Sequence, residues 1–222
     1  MKTVLNHISL KKFLFILAPL AGAGAVWLIC AGKWYLLTYD LQGSFVPQYL
    51  CNLLPLLTSL KEQLLSWQSQ PLVGGLLEDT SYLAVLSRGV WAVKIFYGFL
   101  CLVVLLEGVY FFLYLLCRMG GYRFSCRKMG IFNGGLVFCV GIVFLLFAHQ
   151  SLTMLEDAFS SLNAVAQWFG ASIHAEDLVR LTKTPVVVCA LGVVQVVSSV
   201  CQSEPYQFYT ETSRQTSDSS SV

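Results

Sequence analysis

Two apolar runs joined by a short basic turn constrain this chain more than any other feature. Val90–Cys117 (VWAVKIFYGFLCLVVLLEGVYFFLYLLC) and Gly130–Ala148 (GIFNGGLVFCVGIVFLLFA) are each long enough as helices, at about 1.5 Å of rise per residue, to cross a hydrocarbon core roughly 30 Å thick. They read as a helical hairpin in lipid. The connecting segment RMGGYRFSCRKM holds Arg118, Arg123, Arg127 and Lys128 with no acidic residue, and Gly120-Gly121 permits the reversal. A short loop with that bias belongs on the cytoplasmic side.

Composition points the same way. Hydrophobic residues are 56% of the 222 and charged residues 12%, with a mean hydropathy of +0.69; a soluble chain has about a quarter of its residues charged. The formal net charge is only +2, and the cations gather at the ends of apolar runs. No basic face is left for phosphates, so nucleic acid is set aside as a partner and membrane lipids take its place.

Before this hairpin, FLFILAPLAGAGAVWLICAG follows Lys11-Lys12 and ends at Lys33. Two readings fit it: a first spanning helix, or a cleaved signal peptide with its exit at Ala23-Gly24-Ala25. The spanning reading is preferred because the apolar stretch continues past Ala25, and Trp27, Trp34 and Tyr35 then fall where an interfacial aromatic belt is expected. A further span, VVVCALGVVQVVSSV, follows Thr184-Pro185, with Thr184 expected to cap the helix and Pro185 suited to its first turn.

The expected fold is therefore an all-α integral membrane protein, a four-transmembrane-helix bundle with amphipathic helices in two non-cytoplasmic loops. Its expected segments are a cytoplasmic N-terminus at 1–12, a first span at 13–33 and a helical outer loop at 34–81. An outer extension with the second span follows at 82–117, then the basic loop at 118–129 and the third span at 130–150. An outer amphipathic helix at 151–183, the fourth span at 184–201 and a flexible cytoplasmic tail at 202–222 complete the chain. This arrangement puts eight cations and three acids inside, against six cations and eight acids outside, which favours cytoplasmic ends; the expected location is the plasma membrane.

The first outer loop places Leu50, Leu53, Leu57, Leu60, Leu64 and Trp67 at helical spacing, starting near Leu54 because Pro55 tolerates only a first turn. The second answers with Leu155, Phe159, Leu162, Ala166, Phe169 and Ile173. These faces can pack on each other, pack against the outward extensions of the spanning helices, lie on the membrane or bind a partner.

Within the spans, Glu107 lies about ten residues, or roughly 15 Å, from the Cys117 end of its helix. A lone ionised carboxylate near midplane is expensive, so a protonated acid is expected, satisfied by Gln195 at similar depth and by Tyr110 one turn along. Structural satisfaction, docking of another membrane protein and an ion or proton path are the three readings. Asn133 is placed to bond a neighbouring helix. Small residues recur at Ala18, Ala25 and Gly32 in the first span and at Gly134, Gly141 and Ala148 in the third, and the simplest use of both stripes is mutual close packing.

Cys117, Cys126 and Cys201 lie at the inner boundary, where acylation to a palmitate-bearing lipoprotein is one expectation and reduced thiols without a role are the other. Cys101 and Cys139 are expected as small apolar fillers. Cys51 is expected outside, with a disulfide to Cys30 or Cys189 as one option. No metal-binding, nucleophile-elbow or phosphate-loop motif is present, and His174, Glu176 and Asp177 do not share one helix face. The chain is thus expected to be noncatalytic, without cofactor or metal. Its layout resembles that of claudin-type and tetraspanin-type proteins in topology alone: the first outer loop has Cys51 by itself and the second has no cysteine, so no residue role carries over.

The tail SEPYQFYTETSRQTSDSSSV is polar and ends Ser220-Ser221-Val222. A hydroxyl two residues before an apolar terminal side chain suits a PDZ-type scaffold, which captures a terminal carboxylate by strand addition. The function expected is an accessory or adaptor subunit of a membrane receptor, channel or adhesion complex. A small oligomeric channel or transporter using Glu107 is the alternative.

Overall fold

The computed structural model describes residues 2–38, 44–68, 81–120, 126–166 and 178–201. They are mostly helical. Helix α1 spans Lys2–Ala31, α2 Leu53–Gln68, α3 Ser81–Gly120, α4 Cys126–Ala166 and α5 Thr184–Val200. Two stretches are long and apolar enough to cross a membrane, Leu86–Cys117 in α3 and Arg127–Met154 in α4, while Ile16–Ala31 and Thr184–Val200 are shorter apolar helices.

The chain divides into two compact units. The first comprises Met1–Trp27, Val103–Phe144 and Pro185–Val222, and its described helices bury one face each at three- and four-residue spacing. Val103, Glu107, Tyr110 and Tyr114 form the buried face of α3. Gly130, Asn133, Val137, Val140 and Phe144 form that of α4, and Val188, Gly192, Gln195 and Ser199 that of α5. The opposite faces are predominantly apolar and uncovered: Leu20, Leu105, Phe112 and Phe132 are each at least 60% exposed. A soluble helical protein distributes its residues the other way round.

Glycines set the closest approach. A Cβ built on Gly134 would lie 2.8 Å from Val196 Cγ2 and 2.9 Å from the carbonyl oxygen of Gly192, while one on Gly141 would meet Cys189 Sγ and, at 2.8 Å, the Pro185 carbonyl. Gly134 and Gly141 of α4 therefore pack on α5, where the sequence reading paired them with the first helix. Gly192 supplies the reciprocal gap, and two backbones without side chains between them gain the dispersion contacts that hold helices together in lipid. Ala18 and Ala25 are fully buried on α1, whose Gly24 faces Leu191 of α5.

The second unit, Leu28–Leu102 and Leu145–Thr184, contains what an all-helical reading leaves out. Strands β1 (Lys33–Thr38), β2 (Phe45–Tyr49) and β3 (Val179–Leu181) form an antiparallel sheet in the order β2-β1-β3. Pro47 lies in β2, an edge strand, where a missing N–H costs no ladder bond on the open side. The register slips between Lys33 and Tyr35, a bulge that admits Trp34 as the extra residue and turns it inward. Its indole N–H donates to the Leu28 carbonyl at 2.9 Å. Trp34 and Tyr35 are buried, which corrects their placement in an interfacial belt; Trp27 is exposed.

Four further expectations change. The start of α5 is capped by Thr182, whose hydroxyl accepts the Thr184 N–H at 3.3 Å, while the Thr184 hydroxyl instead donates to the Lys33 carbonyl at 2.6 Å. Cys101 and Cys139 are exposed and so do not fill the core, and Cys30, Cys51 and Cys189 are all free thiols. Leu50 lies in a 3-10 turn, Leu50–Asn52, ahead of α2, because Pro55 must occupy the first turn of the α-helix. Gly32 is buried beside Thr184, and Ala148 is buried on α4.

Candidate functional site

The interior of the first unit carries a polar cluster built by four helices. Glu107 on α3 is 4% exposed and Gln195 on α5 fully buried. Gln195 Nε2 donates to Glu107 Oε1 at 2.8 Å and lies 3.1 Å from Oε2. Gly22 of α1 makes the room: a Cβ there would fall 2.5 Å from Glu107 Oε2 and 3.0 Å from Gln195 Nε2. The carboxyl thus rests directly against the α1 backbone.

Asn133 on α4 stands beside the same carboxyl and donates through Nδ2 to the Leu106 carbonyl at 3.0 Å, tying α4 to the turn of α3 that presents the acid. One turn further along, the Tyr110 hydroxyl and Ser199 Oγ both face Gly130, where a Cβ would lie 2.9 Å from the tyrosine oxygen and collide with the serine. Asn133 Oδ1, Gln195 Oε1 and Ser199 Oγ are buried acceptors without a hydrogen-bond partner. In a low-dielectric interior such a network holds the helices in one register when satisfied and is costly when broken.

Of the residues singled out in the sequence, Glu107, Gln195 and Asn133 converge here, and Tyr110 occupies the adjoining layer. Ser199, Gly22, Gly130 and Gly192 complete the arrangement without having been assigned to it. The spacing of Gly192, Gln195 and Ser199, three and four residues apart, places them on one face of a helix and was a usable signal. Cys201 is exposed and Cys117 half-buried, whereas the side chain of Cys126, the tail residues Ser220 and Val222, and the trio His174, Glu176 and Asp177 lie outside the described residues. So do the side chains of the second outer stripe.

Comparison of the chain with protein-family profiles, with curated proteins and with solved structures returns no match.

Proposed function

We propose that the chain is a noncatalytic four-helix membrane protein acting as an accessory or adaptor subunit of a plasma-membrane receptor, channel or adhesion complex. The observation that carries this reading is the reversed distribution of polarity. Glu107, Asn133, Gln195, Ser198 and Ser199 are inside, while Leu105, Phe112 and Phe132 are outside. Leu86–Cys117 is only 28% buried over its most apolar window and Arg127–Met154 39%; core helices of a soluble protein would be mostly covered. The participation of Gly22 in the Glu107–Gln195 contact supports α1 as a retained span over a removed leader. With Glu107 and the α4 glycines used internally, lateral docking falls to the apolar exterior, and the C-terminal Ser220–Val222 motif supplies scaffold attachment, with an amidated tail peptide as its negative control. Acylation at Cys117, Cys126 and Cys201 belongs to the same proposal and is read by thioester-exchange labelling.

Both chain ends are placed in the cytoplasm. A cysteine introduced at Ser69 should add labelling by a membrane-impermeant maleimide in sealed cells, and one at Ser217 should add it only after permeabilisation. Equal gains in sealed cells would reject the topology.

The second reading, an oligomeric conduit through Glu107, is favoured by the two unpartnered acceptors on the side chains beside that acid, Asn133 Oδ1 and Gln195 Oε1. The two separate by reconstitution and crosslinking. The adaptor reading expects no ion or proton flux from proteoliposomes, together with capture of a protein by a photocrosslinking residue at Leu105 in native membranes. Flux that disappears in Glu107→Gln, without such capture, would replace it by the conduit.

A further inference from the structure

Helix α2 is exceptionally leucine-rich, with seven leucines in 16 residues, yet none of its described side chains is buried. Leu60 and Leu65 are 41% and 47% exposed. Leu53, Leu54, Leu56 and Leu57 are only half-buried, so the helix leaves apolar surface uncovered along its described length.

Its starting level is fixed by α3. The Leu54 N–H donates to the Tyr97 hydroxyl at 3.2 Å, and that hydroxyl donates to the Leu50 carbonyl. Tyr97 lies within the apolar stretch Leu86–Cys117, about 20 residues and so roughly 30 Å of helical rise from its Cys117 end, which is the thickness of a hydrocarbon core. One to two turns beyond Tyr97, the Lys94 ammonium sits 5.2 Å from the centre of the Trp91 ring, an aromatic and a snorkelling cation of the kind found at a headgroup boundary. The beginning of α2 is therefore held where acyl chains give way to headgroups.

We infer that α2 lies in the outer interfacial layer as an amphipathic lipid anchor, with the face of Leu53, Leu57 and Leu60 against the acyl chains and that of Ser59, Glu62 and Ser66 toward water. The inference rests on the reading of α3 as a span. Lipid fits better than a protein surface because Tyr97 of α3 holds the start of α2 at that depth and because Ile95 and Leu102, exposed on the same span, continue the apolar exterior. Lys61 and Glu62 cancel in charge, so a zwitterionic bilayer suffices and anionic lipid is not required.

The test uses the full chain in phosphatidylcholine vesicles, with a spin label on a genetically encoded keto amino acid at Leu60, Glu62 or Leu105 in turn. Power saturation is expected to show oxygen collisions exceeding those with a water-soluble nickel chelate severalfold at Leu60, and the reverse at Glu62. Leu105 should be strongly shielded from nickel. Nickel access at both α2 positions, with Leu105 still shielded, overturns the anchor and leaves the span intact. Shielding of Leu60 from both reagents overturns it in favour of a protein occupant such as a second copy. Nickel access at Leu105 overturns the span and the anchor together.

Discussion

Gly192→Ala is expected to destabilise the bundle by roughly 3 kcal/mol, near the upper end of what overpacking by a single methyl costs. The added carbon would stand 2.6 Å from the Phe138 amide nitrogen and 2.7 Å from the Gly134 carbonyl oxygen. Both are backbone atoms of α4, so no rotamer change relieves the clash and the two helices must separate. Loss of the close contact then forfeits the packing of Gly141 against Pro185 and Cys189 as well. Gly108→Ala supplies the control, because a Cβ there meets nothing within 4 Å, and removing a glycine from a helix interior should stabilise by up to about 1 kcal/mol. Unfolding in mixed micelles followed by circular dichroism reads both. Equal shifts, or a tolerated Gly192→Ala, would mean that α4 and α5 do not approach as described.

The second large effect concerns the Glu107–Gln195 contact, for which a double-mutant cycle to leucine is the informative design. Either substitution alone leaves a buried polar partner unmet and is expected to cost about 1–3 kcal/mol. The double variant replaces both by apolar groups and should cost less than the sum, giving a coupling of about 1–2 kcal/mol. Additive costs within about 0.5 kcal/mol would show that the two side chains act independently. Glu107→Gln should fall between these limits, since two facing amides can still exchange a hydrogen bond. A Gly22→Val variant should mimic the Glu107→Leu loss without touching either polar residue, because the branched side chain would occupy the space that the carboxyl now fills.

What could be read in the sequence was what local periodicity encodes. The depth of Glu107 and Gln195 follows from counting residues along apolar runs, and the structure brings these two together. The stripe at Gly134 and Gly141 announces that some helix comes close, but a small residue carries no information about which one. Its complement, Gly192, is a single glycine in a run of valines and forms no stripe of its own. Trp34 and Tyr35 follow an apolar helix at the spacing of belt residues; their burial depends on a bulge in a strand whose neighbours come from residues 45–49 and 179–181. A pairing across that distance leaves no local trace. The leucines of α2 were legible as a helix from Pro55 onward, whereas the level at which it starts required the Tyr97 hydroxyl bonds.

The sheet also imposes an order on biosynthesis. Strand β1 gains β2 on one edge from the next dozen or so residues, but its other edge waits for β3, which is made roughly 145 residues later, some 7–30 s at about 5–20 residues per second. Throughout that interval the later apolar runs leave the ribosome while β1 offers unpaired N–H and C=O groups, the kind of edge that recruits strands from other chains. Because Thr182 bonds back to Lys33 and Trp34 from the turn just before α5, closure of that edge and entry of the last helix fall at one moment of synthesis. A ribosome stalled upstream of residue 179 would hold a hairpin with its second edge open, the species most in need of a chaperone.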